Sequence, residues 1–73
     1  MVAFNADEVF EPIFDSIENG DIKTTYELRV VLERLSEEFN MKALLILSMF
    51  REWLAERYVV LSTENGVVTI SRI

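Results

Sequence analysis

Residues 58–73 run Tyr58-Val59-Val60-Leu61-Ser62-Thr63-Glu64-Asn65-Gly66-Val67-Val68-Thr69-Ile70-Ser71-Arg72-Ile73. Two β-rich runs, Tyr58–Thr63 and Val67–Ile73, flank Asn65-Gly66, the preferred pair for a two-residue type I′ turn, because both turn positions need positive φ. Pairing Glu64 with Val67 places Val59, Leu61, Thr63, Val68 and Ile70 on one face of the hairpin and Ser62, Thr69 and Ser71 on the other. A three-residue loop would slip the register by one and destroy that division, so the two-residue turn is expected.

The segments before the hairpin carry helical periodicity. From about Met41 to Arg57, Ala43, Ile46, Leu47, Phe50, Trp53, Leu54 and Tyr58 cluster on one side, the expected core face of a third helix. Asn40 suits a left-handed helix end before it. The second helix is announced by Thr24-Thr25-Tyr26-Glu27, a capping box in which the Thr24 hydroxyl and the Glu27 carboxylate satisfy each other's free amides. Its apolar face is Leu28, Val31, Leu32, Leu35 and Phe39, and its outer face carries Arg29, Glu33, Arg34, Glu37 and Glu38 at spacings suited to modest ion pairs. A short edge strand is expected near Ile22. The first helix opens at Asn5, its N-cap, with Asp7 and Glu8 near the positive end of the helix dipole. Val9, Phe10, Ile13, Phe14 and Ile17 form its apolar stripe, which runs straight through Pro12, so a kinked helix ending at Asn19-Gly20 is expected.

The chain has 73 residues, of which 51% are hydrophobic, and is expected to fold as one domain over residues 1–73. It contains no cysteine and no histidine. Disulfides, thiolate or imidazole metal sites, and triads of the Ser-His-Asp or Cys-His kind therefore cannot be built. Glu37 and Glu38 cannot act as paired catalytic carboxylates, since adjacent helical residues point about 100° apart. With no glycine-rich phosphate loop and no EF-hand spacing, neither an enzyme nor a cofactor is expected. There is no apolar run of membrane-spanning length and no basic, apolar secretory start, so the expected setting is the cytoplasm.

Net charge is −6 and unevenly spread. Residues 1–40 hold ten acids against three bases, whereas residues 41–73 hold three acids against four bases. The first half repels nucleic acid and the second scarcely attracts it.

Helix, short strand, helix, helix, hairpin is the element order of winged helix-turn-helix domains. Over residues 35–59 the resemblance sharpens. Leu35-Ser36-Glu37-Glu38-Phe39-Asn40-Met41 resembles the second helix and turn of bacterial winged-helix regulators of the GntR type. Phe50-Arg51-Glu52-Trp53-Leu54-Ala55-Glu56-Arg57-Tyr58-Val59 is similar to the end of their third helix and the start of the wing. The resemblance implies an α+β, winged-helix-like fold with a third helix that reads DNA. Yet that helix begins Lys42-Ala43-Leu44-Leu45-Ile46-Leu47-Ser48-Met49, in which only Lys42 and Ser48 could meet DNA, and neither offers a bidentate base contact. The wing, Thr63-Glu64-Asn65-Gly66, carries an acid where a phosphate-binding wing would carry a base.

Met41, Leu45 and Met49 recur at i, i+4 and i+8 roughly opposite the expected core face, with Leu44 beside them. They mark either a central helix covered all round or an exposed strip that docks a protein partner or a second copy of the chain. Asp7, Glu8, Glu11, Asp15 and Glu18 place five acids on the first helix, as a solvated face or as a lure for a basic partner. Trp53, Phe50 and Tyr58 are expected in the core rather than as a base-stacking platform, because no basic track accompanies them. The leading expectation is a regulator or adaptor linked to transcription or other nucleic-acid machinery. It works by protein–protein contact through Met41, Leu44, Leu45 and Met49, as a homodimer or with another protein. The alternative is a DNA-binding transcription regulator using Lys42, Ser48, Arg51, Arg57 and Arg72. A third reading is an acidic nucleic-acid mimic that blocks a basic site.

Overall fold

The computed structural model describes residues 3–73. At its C-terminal end, β1 (Val59–Glu64) and β2 (Val67–Arg72) pair antiparallel with Glu64 opposite Val67, Leu61 opposite Ile70 and Val59 opposite Arg72. Asn65 and Gly66 adopt φ of 54° and 75°, the positive values that a type I′ turn requires. Val59, Leu61 and Val68 are buried on the inner face, and Ile70 packs partly against them. Thr63, at the open end of that face, is exposed.

Three helices precede the hairpin: α1 (Ala6–Asn19), α2 (Thr25–Phe39) and α3 (Ala43–Ala55). The Asn5 side chain accepts from the Glu8 amide, and Gly20 closes α1 at φ 88°. Pro12 sits within α1, which remains a single helix across it. Pro12 and Glu8, whose carbonyl loses its usual donor there, are both exposed, so the vacancy lies on the wet side. Thr24 and Glu27 form the full capping box of α2, and Asn40 ends that helix in the left-handed conformation at φ 53°. Ser36 braces the following turn, donating its hydroxyl to the Met41 carbonyl.

The strand expected near Ile22 is instead a single bridge between Thr24 and Val67. Two backbone bonds hold it, Val68 N–H to the Lys23 carbonyl at 2.9 Å and Thr25 N–H to the Gly66 carbonyl at 2.8 Å. The capping box stops the extended segment from growing, since the chain turns into α2 at once. Ile22 itself is buried. The element order is thus three helices followed by a two-stranded hairpin, an α+β arrangement.

The core lies where α1, α3 and the hairpin meet α2. Phe10, Ile46, Phe50 and Leu54 are fully enclosed at 0% exposure. An aromatic chain knits the helices together: Phe39 to Phe4 at 5.0 Å, Phe4 to Phe10 at 5.5 Å, Phe10 to Phe50 at 5.2 Å and Phe14 to Trp53 at 6.1 Å. Such edge and tilted contacts each add about 0.5–1.5 kcal/mol beyond the area they bury. Tyr58 departs from the expected core face and is 70% exposed. α3 stops at Ala55, and Tyr58 takes a left-handed φ of 60° to aim the chain into β1, so helical spacing no longer sets its direction. The ion pairs expected along α2 are absent among the described residues, where the salt bridges instead join α1 to Arg57, just past α3, and to Arg72, at the end of β2.

Candidate functional site

α3 is apolar around most of its circumference, and the structure decides which part is covered. Ile46, Phe50, Trp53 and Leu54 face the core. Met41 and Met49 are half-buried and pack against it, whereas Leu44 is 80% and Leu45 50% exposed. The expected strip therefore divides. Its methionines seal the edge of the core, and only the two leucines are open.

Leu44 stands on the rim of a groove of about 260 Å³ between α2, α3 and β1. Leu28 and Leu32 contribute from α2, and Ala43 and Leu47 from α3; Thr25 and Thr63 complete the uncharged lining. Arg29 and Arg51 are its charged residues. Local chemistry holds these elements in place. The Thr25 amide is tied to the hairpin turn through Gly66, and Arg51 donates from Nη1 to the Leu61 carbonyl at 3.0 Å, fastening α3 to β1. Ala43, Leu47 and Arg51 recur at i, i+4 and i+8, and that row lines the groove. Ala43 and Leu47 pack against the core, as their spacing predicts, and also form the α3 wall of the groove. Arg29, on the outer face of α2, edges the groove, and the i, i+4, i+8 row ending in an arginine is the sequence signal for this side of α3.

The acids of α1 do not form one free face. Asp7 Oδ1 accepts from Trp53 Nε1 at 2.8 Å and from Arg57 Nη2 at 2.8 Å. Arg57 lies over the Trp53 ring at 3.7 Å and also donates to the Trp53 carbonyl. At the other end of α1, Glu18 pairs with Arg72 at 3.1 Å. Glu8, Glu11 and Asp15 remain on the exposed side.

The same bonds disperse the residues that could have met DNA. Arg57 and Arg72 are drawn back onto α1, and Arg51 places one guanidinium nitrogen on the Leu61 carbonyl. Lys42 and Ser48 are exposed, but six residues apart on a helix they point about 120° away from each other. Trp53 is 5% and Phe50 0% exposed, so neither ring is open to stack on a base. Among the described residues there is no grouping of acids that could hold a metal ion, and no helix is long and apolar enough to cross a membrane.

Glu27 is held below its ordinary carboxylate range. The amides of Lys23 and Thr24 donate to its carboxylate at 3.1 and 3.0 Å and keep its pKa below the usual carboxylate value. This is helix capping, not chemistry on a substrate. Comparison with known protein families, curated proteins and solved structures finds no match to this chain.

Proposed function

We propose that the protein acts without catalysis, as a small winged-helix-like regulator or adaptor whose α3 surface binds another polypeptide. The observation that carries this is the exposure of Leu44, at 80%, over an apolar groove. Leaving so large an apolar side chain in water brings no folding benefit, and contiguous apolar surface of this kind marks contacts. The order of three helices and a hairpin supports a setting among transcription or other nucleic-acid machinery, by analogy of fold alone. Net charge of −6, and the retention of Arg57 and Arg72 by Asp7 and Glu18, weigh against direct DNA binding. The same ion pairs remove two of the five acids that a nucleic-acid mimic would display.

Three measurements test this reading. Light scattering distinguishes self-association from a separate partner. A gel shift with random duplex at low salt should show no complex, although even non-specific DNA binders associate there. Leu44→Lys and Leu45→Lys should fold as the parent does and lose the protein contact. A duplex shift abolished by Lys42→Ala or Arg51→Ala would instead establish the DNA-binding alternative.

A further inference from the structure

The chain carries thirteen acids and seven bases, yet the residues lining the α2–α3–β1 groove include two arginines and no carboxylate. Arg29 is exposed and forms no ion pair among the described residues, where both pairs use Arg57 and Arg72. Arg51 spends one nitrogen on the Leu61 carbonyl and is otherwise exposed. An acidic protein thus presents a positive rim around an apolar floor, and the complementary ligand combines apolar side chains with negative charge. At about 260 Å³ the groove falls below the roughly 300–1,000 Å³ of small-molecule sites. It has room for one or two side chains, which suits the anchors of a polypeptide laid across it.

The acidic helix α1 of a second copy does not supply that combination. The exposed acids of α1, Glu8, Glu11 and Asp15, have no large exposed apolar residue on the same helix. A two-fold pairing of grooves would set Arg29 and Arg51 against their own copies, since such an interface matches a patch with itself. We infer that the groove captures an acidic amphipathic helix of another protein. Its apolar anchors enter beside Leu28, Leu32, Leu44 and Leu47, and its flanking carboxylates pair with Arg29 and Arg51. This rests on the protein-contact reading above and specifies the chemistry of the partner.

The test uses the full chain and fluorescein-labelled peptides about four helical turns long. The parent peptide has leucines at i, i+3, i+4 and i+7, with glutamates at the flanking positions. One control replaces the glutamates by lysine, and another replaces the leucines by alanine. Anisotropy should show the acidic leucine peptide binding in the range of roughly tens to hundreds of micromolar, as a small interface permits. Binding should weaken as salt rises, because the paired charges are solvent-exposed. Arg29→Glu should reduce affinity at least about fivefold through like-charge repulsion, and Lys42→Glu, outside the groove, should change it less than about twofold. Circular dichroism confirms that both variants fold.

Equal binding of the lysine peptide, or indifference to Arg29→Glu, overturns the acidic specificity while leaving a protein contact at α3 intact. Absence of binding by every peptide at roughly 1 mM overturns the groove as a helix-docking site. The protein-contact reading then stands or falls on the Leu45→Lys variant.

Discussion

Replacing Asp7 by alanine removes an acceptor shared by two donors that lie 46 and 50 residues away in the chain. The Trp53 indole N–H, on a residue only 5% exposed, reaches the Asp7 carboxylate at 2.8 Å. A hydrogen bond to a charged group contributes about 1.5–3 kcal/mol, and the 67% exposure of the Asp7 side chain puts this one at the lower end. The Arg57 pair is exposed on both sides and adds no more than about 1 kcal/mol. A total loss of about 2 kcal/mol is therefore expected for Asp7→Ala. For a domain of this size that lowers Tm by roughly 8–16 °C. Trp53 is the only tryptophan, so its fluorescence follows unfolding in urea directly. Asp7→Asn keeps an oxygen that can accept from the indole and should recover about half of the loss. In a double-mutant cycle with Trp53→Phe, followed by circular dichroism, the coupling should be about 1 kcal/mol. With Arg57→Ala it should be smaller, on the order of 0.5 kcal/mol. If Asp7→Ala stays within about 0.3 kcal/mol of the parent, or shows no coupling to Trp53, the tether between α1 and α3 does not stabilise the fold.

Phe10→Ala should cost about 3–5 kcal/mol, because Phe10 has 0% exposure and contacts Phe4, Phe50 and Trp53. Against a total of roughly 4–11 kcal/mol for a chain of this length, near-UV circular dichroism should show largely lost packing. A Cβ at Gly66 meets no atom within 4 Å, but its φ of 75° is unfavourable for alanine, so Gly66→Ala should cost about 1 kcal/mol in urea unfolding. Acidification tests the α2 cap. Glu27 has a depressed folded pKa, so its contribution is complete above the unfolded value of about 4.3 and is lost as pH falls through the folded value. Glu27→Gln should flatten the stability profile over that acid range, and an unchanged profile would show that the capping carboxylate is not the cause.

Much of this protein could be read from short stretches of chain. Asn5, Thr24 with Glu27, Asn40 and Asn65-Gly66 each perform the cap or turn expected of them, because those devices are closed within about four residues. The hairpin register followed from the turn, and the buried stripes of α1 and α2 followed from period and hydrophobicity. The groove was harder to find. A helical wheel gives the angle between Leu44 and Met49, yet says nothing about which neighbour covers each. The docking of α2 and β1 beside α3 left Leu44 open over the groove and drew Met41 and Met49 towards the core.

Charge shows the same limit from another side. Composition established an acidic chain without histidine or cysteine, and so excluded whole classes of chemistry before any fold was considered. It could not show that Asp7 and Glu18 hold Arg57 and Arg72, or that Arg29 and Arg51 edge a groove without acids. Local sequence determined where each element begins, ends and turns, because capping and turn geometry depend on neighbouring residues. Tertiary structure decided which charges meet and which apolar side chains stay exposed, because those contacts join residues some fifty positions apart and exist only once the helices and hairpin have packed.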